Sequence, residues 1–312
     1  MKFALLGFGQ IGRIHMEALE NSYLAELSAV IDQQSIDLDL PFYPSLSDFL
    51  AAKSDIDVVI IATPNGLHYD HAKACLEAGY HVLVEKPITL NAKDLERLIY
   101  IGEQSDKRIF NMLQLRFSPV VQWFKQVLNE EKLGEVYMVN VNCYWNRNPA
   151  YYQKKMWHGT KEMDGGVLFT QFSHFVDVLH YWFDELKPLD VRKFNFNHKD
   201  STEFPDSGML TFELKKEGFG HMNYTISTFE KNFESNITII AENGTLQIGG
   251  QYMNQINYLN ANGLTHPFDE PIGVRFHQNA IEEVVQAILE NRKSILDAKN
   301  ARNVIQFLEV VS

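Results

Sequence analysis

The sequence predicts an α/β protein with two domains: a doubly wound parallel sheet, then a smaller α/β domain with an open, largely antiparallel sheet. Short apolar strands alternate with amphipathic helices through residues 1–116, which is typical of a parallel sheet covered on both faces. From residue 189 onward, strands follow one another without helices between them, which indicates antiparallel pairing. The 312 residues suffice for two domains, expected at 1–116 and 117–312.

The composition is that of an ordinary globular protein, with 45% hydrophobic and 22% charged residues. The net charge of −12 argues against nucleic acid or an anionic membrane as a general partner. No apolar run approaches the roughly 20 residues of a membrane helix, and the N-terminus enters a strand at once, so no signal peptide is expected. Cys75 and Cys143 lie far apart in sequence, without a CxxC or HExxH pattern. We therefore expect a cytoplasmic protein with two buried thiols and no metal site.

The first strand, residues 2–6, leads directly into a glycine-rich turn and a helix. The turn reads Gly7-Phe8-Gly9-Gln10-Ile11-Gly12. In this context the first glycine allows the turn, the second lets backbone approach a pyrophosphate, and the third lets helix and strand pack closely. The helix N-terminus would face the phosphate charge. These six residues are therefore predicted to bind a dinucleotide.

The second strand, residues 27–31, ends at Asp32, which lies 20 residues after Gly12. This is the spacing expected for the acid that binds the adenosine ribose. A carboxylate there accepts hydrogen bonds from the 2′-hydroxyl and repels a 2′-phosphate, so NAD is preferred over NADP as cofactor. The alternative for Asp32 is a helix cap or a turn residue.

Two further strands end in polar residues, where an open α/β sheet binds its ligands. The strand at 57–63 ends in Thr63-Pro64-Asn65, expected on the nicotinamide side of the cofactor. His68 follows and is assigned either a cofactor contact or the capping of the next helix.

The strand at 81–86 ends in Glu85-Lys86-Pro87 and is the centre of the functional prediction. A partly buried lysine near other polar groups can exchange protons with a substrate. The alternative for Lys86 is an exposed lysine beside a turn. Glu85 is expected to support the cofactor or to orient Lys86.

The second half begins with a helix at 119–129 and a long strand at 135–145. A polar and aromatic loop at 146–161, containing Tyr151, Tyr152 and Trp157, is typical of a binding loop. A helix over 165–184 places Thr170 and His174 on one face. Strands are predicted at 191–197, 207–214, 218–227, 235–241 and 245–248. Helices at 276–290 and 298–311 complete the chain, and the last is suspected to pack on the first domain.

Several motifs now occur in chain order and together resemble one family. They are Gly7-Phe8-Gly9-Gln10-Ile11-Gly12, Thr63-Pro64-Asn65, Glu85-Lys86-Pro87, and Gly165-Gly166 with His174 and Asp177. The set resembles the glucose–fructose oxidoreductase/inositol dehydrogenase (Gfo/Idh/MocA) family over nearly the whole chain. The resemblance implies a Rossmann domain, an α/β domain with an open mixed sheet, and NAD(P)-dependent oxidation of a sugar or cyclitol hydroxyl. It also implies a homodimer or homotetramer.

A narrower resemblance concerns the substrate. The stretch from Asn111 to Arg116, and Trp157-His158-Gly159 ahead of Gly165-Gly166, are similar to the WlbA/WbpB branch. That branch oxidises the 3-hydroxyl of UDP-N-acetylglucosaminuronic acid during surface polysaccharide synthesis. Two positions depart from the related patterns. Thr170 replaces an Asp of the inositol dehydrogenases, and Phe172 replaces a glycine of the sugar-nucleotide branch.

With the resemblance, Lys86 is expected to be the main acid/base, with His174 orienting the hydroxyl or sharing the proton. Gln114, Arg116, Trp157 and Thr170 are substrate-side candidates. An arginine at 116 can fork onto a carboxylate or phosphate. The alternatives are a core histidine at 174 and a surface ion pair at 116.

Two other functions compete with the sugar-nucleotide dehydrogenase. One is a dehydrogenase of free cyclitols or aldoses. The other is a dinucleotide-sensing protein without turnover, whose mark would be loss of Lys86 or His174; both residues are present.

Overall fold

The computed structural model describes residues 1–153, 157–268, 273 and 275–312. They form two compact units. Unit 1 comprises Met1–Gln114 with Arg275–Ile305, and unit 2 comprises Leu115–Val274 with Gln306–Ser312. Residues 275–305, assigned to the second domain from the sequence, thus belong to unit 1.

The strands and helices of the described residues are as follows. The strands are β1 Lys2–Leu6, β2 Glu26–Ile31, β3 Phe42–Tyr43, β4 Val58–Ile61, β5 His81–Val84, β6 Ile109–Asn111, β7 Val136–Tyr144, β8 Leu186–Phe194, β9 Ser207–Leu214, β10 Phe219–Thr225, β11 Glu234–Ala241, β12 Gly244–Gly249 and β13 Gln255–Ala261. The helices are α1 Gln10–Glu20, α2 Leu46–Ala52, α3 His68–Glu77, α4 Ala92–Ser105, α5 Pro119–Asn129, α6 Pro149–Gln153, α7 Ser173–Phe183, α8 Phe276–Leu289 and α9 Arg302–Val311.

The described part of unit 1 contains a six-stranded sheet in the order β3-β2-β1-β4-β5-β6. Every pair in it is parallel. Leu5, Ile60 and Leu83 in its central strands have no exposed surface, as expected when helices cover both faces. The predicted doubly wound sheet is therefore confirmed. Its order reverses between β1 and β4, and ligands of such sheets bind at the carboxyl edge near that point.

The segment that returns from the end of the chain joins the far edge of this sheet. The backbone N–H of Asn111 in β6 donates to the carbonyl of Leu296 at 2.8 Å. The guanidinium of Arg108 bonds both the Ala287 carbonyl, at 2.5 Å, and Asp297, at 2.6 Å. Periodicity reveals an apolar stripe on α8 but not its packing partner, which is why the sequence alone assigned this segment by chain order.

The described part of unit 2 contains a seven-stranded sheet in the order β13-β12-β11-β7-β10-β9-β8. Only the β7–β10 pair in that sheet is parallel, so the expected open, largely antiparallel sheet is confirmed. Along β7, buried Val139, Val141 and Cys143 alternate with more exposed neighbours, which shows that one face is packed. The edge strand β13 was not predicted, because its residues are mostly polar and exposed.

The helix predicted over 165–184 begins later and is interrupted. Gly165 and Gly166 have φ of +86° and +112°, which an α-helix does not permit. A π-helical turn follows at Leu168–Phe172, before α7. Phe172 is fully buried, with its ring centroid 5.1 Å from that of Trp145, so the phenylalanine-rich face is core as predicted.

Cys75 and Cys143 are both buried free thiols. Burial raises the pKa of Cys75 to about 12, so this side chain behaves as a small apolar group. Within the ranges described, the helices include none with the length and apolar character needed to cross a membrane.

Candidate active site

At two positions of the turn between β1 and α1 there is no space for any residue larger than glycine. Gly7 has φ of +95°, and a Cβ on it would lie 2.5 Å from the Ala62 carbonyl oxygen beyond β4. A Cβ on Gly12 would lie 2.2 Å from the Gly7 carbonyl oxygen. The turn is therefore compact, and it ends at the N-terminus of α1, whose first turn carries no acidic residue. Its free backbone N–H groups and the helix dipole suit a pyrophosphate.

The side chains of this turn differ in exposure. Phe8 is buried, and the Arg13 guanidinium lies 4.7 Å above its ring centroid. Gln10 and Ile11 are exposed. The predicted contacts of this segment with a dinucleotide therefore rest on its backbone and on the two exposed side chains.

Asp32 follows β2 and is tied to the glycine turn. Its Oδ2 accepts the backbone N–H of Phe8 at 2.7 Å, and its Oδ1 accepts that of Gln34 at 2.8 Å. Each carboxylate oxygen can accept a further hydrogen bond. The half-buried carboxylate is thus held in a fixed orientation with acceptor capacity left for ribose hydroxyls. Together with the turn, it fits a dinucleotide.

His68 connects the segments that follow β4 and β5. Its ring is fully buried, with Nε2 2.9 Å from the Thr63 carbonyl oxygen and Nδ1 2.7 Å from that of Pro87. Both carbonyls are satisfied only by a doubly protonated ring, whereas burial lowers the pKa of His68 against those two hydrogen bonds. The ring does not cap α3, and its burial does not favour the predicted cofactor contact. It holds two loops together instead.

The Thr63-Pro64-Asn65 segment itself is partly buried. The hydroxyl of Thr63 lies 3.0 Å from Nδ1 of His71, and Asn65 is buried at the start of a short 3₁₀ turn. These contacts fix the backbone after β4 beside the glycine turn. A role of the three residues on the nicotinamide side stays a prediction.

Lys86 lies two residues beyond β5 and is half-buried. The preceding Glu85 is buried and accepts the backbone N–H of Lys86 at 3.1 Å through Oε2. Its other oxygen lies 2.7 Å from Nε2 of His15. Burial favours the neutral acid, but the hydrogen bond from His15 and the charges of His15, His277 and Lys86 lower the pKa of Glu85 to about 2. Glu85 is therefore an anion at neutral pH, bonded to the backbone of Lys86.

Two histidines next to Glu85 were missed by the sequence analysis. His15 on α1 is fully buried, and His277 on α8 packs edge-on against it with ring centroids 5.5 Å apart. Burial lowers the pKa of His277 to about 4, so it is neutral under ordinary conditions. His15 follows Gly12 by three residues on the buried side of α1. That position is visible in the sequence, but its pairing with Glu85 is not.

In unit 2, His174 is the second residue of α7 and is half-buried. Thr170, in the preceding π-helical turn, donates its hydroxyl to the backbone carbonyl of Asp164 at 2.7 Å and also lies against the Asp164 carboxylate. That carboxylate accepts the N–H of Gly159 at 2.9 Å. Thr170 therefore anchors the turn at 159–164, and a direct substrate contact stays a prediction.

Arg116 forms a buried ion pair. Its Nε lies 3.0 Å from one oxygen of Asp177 and its Nη2 2.6 Å from the other, and 4% and 1% of the two side chains are exposed. The guanidinium edge formed by Nε and Nη2 was predicted to bind a substrate carboxylate or phosphate. In the structure this edge binds the carboxylate of Asp177 instead. The alternative of a surface ion pair is also wrong, because the pair lies in the core of unit 2. Asp177, from the family motifs, and Arg116, from the stretch similar to the WlbA/WbpB branch, thereby have a structural role.

The aromatic loop is partly helical, since α6 occupies Pro149–Gln153, while residues 154–156 lie outside the described ranges. Tyr152 packs in a cluster with His198 and Phe204, as expected of loop packing. Trp157 is half-buried, with its ring centroid 4.0 Å from that of His158. Gln114, the last residue of the first segment of unit 1, is buried. A contact of Trp157 or Gln114 with the substrate stays a prediction.

The sequence analysis also missed Arg147. Its Nε donates to Gln171 at 2.8 Å, and its guanidinium carbon lies 4.9 Å from the ring centroid of Trp145 and 5.4 Å from that of Tyr151. Gln171 belongs to the π-helical turn that also carries Thr170. The guanidinium also donates to the Asn146 carbonyl at 2.7 Å and to Asn232 at 3.3 Å, so a cation is held beside this turn by stacking and by several hydrogen bonds.

Comparison with known families decides the assignment. Residues 1–112 match the model of the GFO_IDH_MocA oxidoreductase family with an NAD-binding Rossmann fold. Residues 121–247 match the GFO/IDH/MocA C-terminal domain. The chain belongs to the Gfo/Idh/MocA oxidoreductase family.

Among solved structures, the chain is similar to the WlbA dehydrogenase of Bordetella pertussis in complex with NADH and UDP-GlcNAcA. The TM-score is 0.90 at 28% identity, covering 100% of this chain and 94% of that one. The WlbA dehydrogenase of Chromobacterium violaceum, in complex with the same two ligands, gives 0.89 at 31% identity, covering 99% and 91%.

A curated relative is the scyllo-inositol 2-dehydrogenase (NADP(+)) of Bacillus subtilis. It is 27% identical over 223 residues, which are 69% of this chain and 60% of that protein. The chain spans about half the length of the curated relatives it matches.

Replacing His68 with leucine is expected to destabilise the protein. The neutral ring has one N–H, so the change leaves one more carbonyl, of Thr63 or Pro87, without its donor, which costs on the order of 2 kcal/mol in the free energy of unfolding. The measurement is urea unfolding followed by far-UV circular dichroism. His71→Leu is the matched control, since His71 is half-buried on the same helix and its Nδ1 bonds the hydroxyl of Thr63. Equal losses for the two variants would show that His68 does not hold the loops.

Proposed function

We propose that the protein is an NAD-dependent dehydrogenase that oxidises a secondary hydroxyl of a sugar or sugar nucleotide. The leading candidate is the 3-hydroxyl of a UDP-N-acetylhexosaminuronic acid. Family membership supports the reaction class. The two WlbA structures, both solved with NADH and UDP-GlcNAcA, support the substrate class.

One observation carries this proposal: Lys86 at the carboxyl edge of β5, in a sheet of order β3-β2-β1-β4-β5-β6 with a glycine turn after β1. That edge is where such sheets bind dinucleotides. A half-buried amine there can reach a proton of a bound alcohol, which ordinary surface lysines do not do.

The chemistry requires two transfers from the alcohol. When bound, NAD supplies the nicotinamide carbon that accepts the hydride of the carbinol C–H bond. The amine of Lys86 takes the hydroxyl proton, so that the C–O bond becomes a carbonyl. His174 is proposed to orient the hydroxyl or to share this proton. The glycine turn and the N-terminus of α1 hold the diphosphate, and Asp32 accepts hydrogen bonds from the ribose.

A free cyclitol or aldose is the second candidate substrate class. It is supported by the inositol dehydrogenases among the curated relatives. Thr170 argues against this substrate class. The inositol dehydrogenase branch has an Asp at this position, whereas here a threonine donates its hydroxyl to the backbone carbonyl of Asp164. A non-catalytic dinucleotide sensor is disfavoured, since Lys86 and His174 are both present and half-buried.

A substrate panel tests the proposed activity. The purified protein is incubated with NAD or NADP and with UDP-sugars, free sugars and inositols, while NADH formation is followed at its absorbance band. We expect turnover with a UDP-N-acetylhexosaminuronic acid and a preference for NAD, because the Asp32 carboxylate repels a 2′-phosphate. Bound dinucleotide is assayed first, since an enzyme that recycles its NAD in place would conceal turnover. Turnover on inositols alone would shift the assignment to the second candidate.

Lys86→Met is expected to abolish turnover and to leave NAD affinity nearly unchanged. The side chain keeps its length but loses the group that accepts the proton, which should lower kcat by about a thousandfold. Turnover is measured by NADH formation and affinity by isothermal titration calorimetry. Lys93→Met, at an exposed lysine on α4, is the control. Retained turnover in Lys86→Met would remove Lys86 from the chemistry.

We also propose a homodimer or homotetramer formed through the unpacked face of the unit 2 sheet. Phe219, Met209 and Phe194 lie on that face by their register and are 52%, 48% and 46% exposed. Several large apolar side chains exposed on one face of a sheet are a feature that burial in an interface would explain.

Sedimentation velocity measures the mass in solution. We expect an oligomer for the native chain and a smaller species for the double variant Met209→Glu/Phe219→Glu, because charges on the face oppose its burial. Tyr23→Glu, at a fully exposed aromatic residue of unit 1, should leave the mass unchanged. A monomeric native protein would exclude the proposal.

A further inference from the structure

The buried pair formed by His15 and Glu85 lies directly behind Lys86. Nε2 of His15 and Oε1 of Glu85 are 2.7 Å apart, and their side chains are 0% and 8% exposed. The second oxygen of Glu85 accepts the backbone N–H of Lys86 at 3.1 Å. The imidazole, the carboxylate and the backbone of Lys86 therefore form one continuous hydrogen-bonded chain.

The direction of the hydrogen bonds in this pair follows from its surroundings. Among the described residues, Nδ1 of His15 is buried without a hydrogen-bond partner, whereas Nε2 faces the carboxylate of Glu85. Nε2 is therefore the nitrogen that donates to Glu85. A carboxylate accepts from both His15 and Lys86, one with each oxygen.

The pair also joins three parts of unit 1. His15 belongs to α1, the helix that follows the glycine turn, and Glu85 follows β5. His277, from α8, packs edge-on against His15 and closes the far side of the imidazole. A displacement of α1 is thereby transmitted to the residue next to Lys86, because packed buried side chains have little room to relax.

We infer that His15 and Glu85 are positioning residues that set the place of the Lys86 amine through its backbone N–H. This inference rests on the proposed role of Lys86 in proton transfer. Glu85 touches neither the reacting alcohol nor the hydride in this account. Glu85 fixes the backbone of Lys86 through its N–H, and His15 fixes the carboxylate of Glu85.

The inference predicts different outcomes for two substitutions of His15. His15→Gln keeps an N–H donor, and His15→Leu removes it at similar volume. In His15→Leu, kcat should fall by about tenfold to a hundredfold, as for misplaced catalytic groups, while the KM for NAD changes little. His15→Gln should restore most of the rate. His81→Leu, at another half-buried histidine of unit 1, is the control and should match the native enzyme.

A second readout does not depend on turnover. Trace acetylation with acetic anhydride, followed by mass spectrometry, gives the labelling rate of Lys86 relative to exposed Lys93. We expect the ratio to rise at least about threefold in His15→Leu, since loss of the restraint frees the amine, and to stay near the native value in His15→Gln. This measurement still reports on the pair if Lys86→Met retains turnover and the proposed function fails.

The pH dependence of stability provides the third readout. The charged and titratable groups that face Glu85 are His15 from α1, His277 from α8, His68 from α3 and Lys86 beside it. In the native chain the lowered pKa of Glu85, about 2, contributes stability that is present above about pH 5 and is lost as the pH falls toward 2.

Burial is already the largest single effect on Glu85 and opposes its ionisation, so loss of the His15 donor raises the pKa of this carboxyl above about 2. The ionised carboxyl then stabilises the folded state less. The stability difference between native and His15→Leu proteins should therefore widen as the pH rises above about 2, and this pH dependence should vanish in a Glu85→Gln background.

The three readouts distinguish a positioning role of the pair from a purely structural one. A native rate and labelling ratio in His15→Leu, with stability reduced, would overturn the inference and leave the pair a purely structural one. A stability difference that does not vary with pH would show that His15 does not hold Glu85. Loss of rate, increased labelling and rescue by His15→Gln together would support it.

Discussion

A carboxylate buried in the core of unit 1 is the constraint on which the candidate site depends. An isolated charge in such a place is strongly disfavoured, so Glu85 must have donors on each side. His15 supplies one and the backbone N–H of Lys86 supplies the other. Because each donor bonds one oxygen of Glu85, the carboxylate restrains the position of α1 relative to the loop after β5. The lysine proposed to carry the chemistry extends from that arrangement.

The same principle explains the neighbouring loops at the carboxyl edge of the sheet. Asp32 accepts from the N–H of Phe8, and His68 bonds the carbonyls of Thr63 and Pro87. The bonds of Asp32 to Phe8 and of His68 to Pro87 join segments that are distant in the chain and lie at the same edge of the parallel sheet. The glycine turn, the Thr63-Pro64-Asn65 segment and the loop of Lys86 are therefore held in place before any ligand binds, which reduces the ordering cost of binding.

The two departures from the related sequence patterns have structural explanations. Phe172 stands where a glycine is usual in the sugar-nucleotide branch, and its ring is buried against Trp145, 5.1 Å away. Thr170 stands where the inositol branch has an Asp, and its hydroxyl is bonded to Asp164. Both residues lie in the π-helical turn that precedes His174. The substitutions therefore belong to the packing of this turn, which differs from the regular helix that apolar spacing predicts.

The sequence by itself determined the fold class, the glycine turn, Asp32 and the position of Lys86 at a strand end, because these follow from local periodicity and motif spacing. It did not determine that residues 275–305 belong to unit 1, that Arg116 pairs with Asp177, or that His15 and His277 lie beside Glu85. Those contacts join residues from 61 to 262 positions apart, given the positions of Arg116 with Asp177 and of His15 with His277. Only the tertiary structure decided these contacts. A buried polar group bonds the partner that packing places beside it, and local sequence patterns do not specify a partner so far away in the chain.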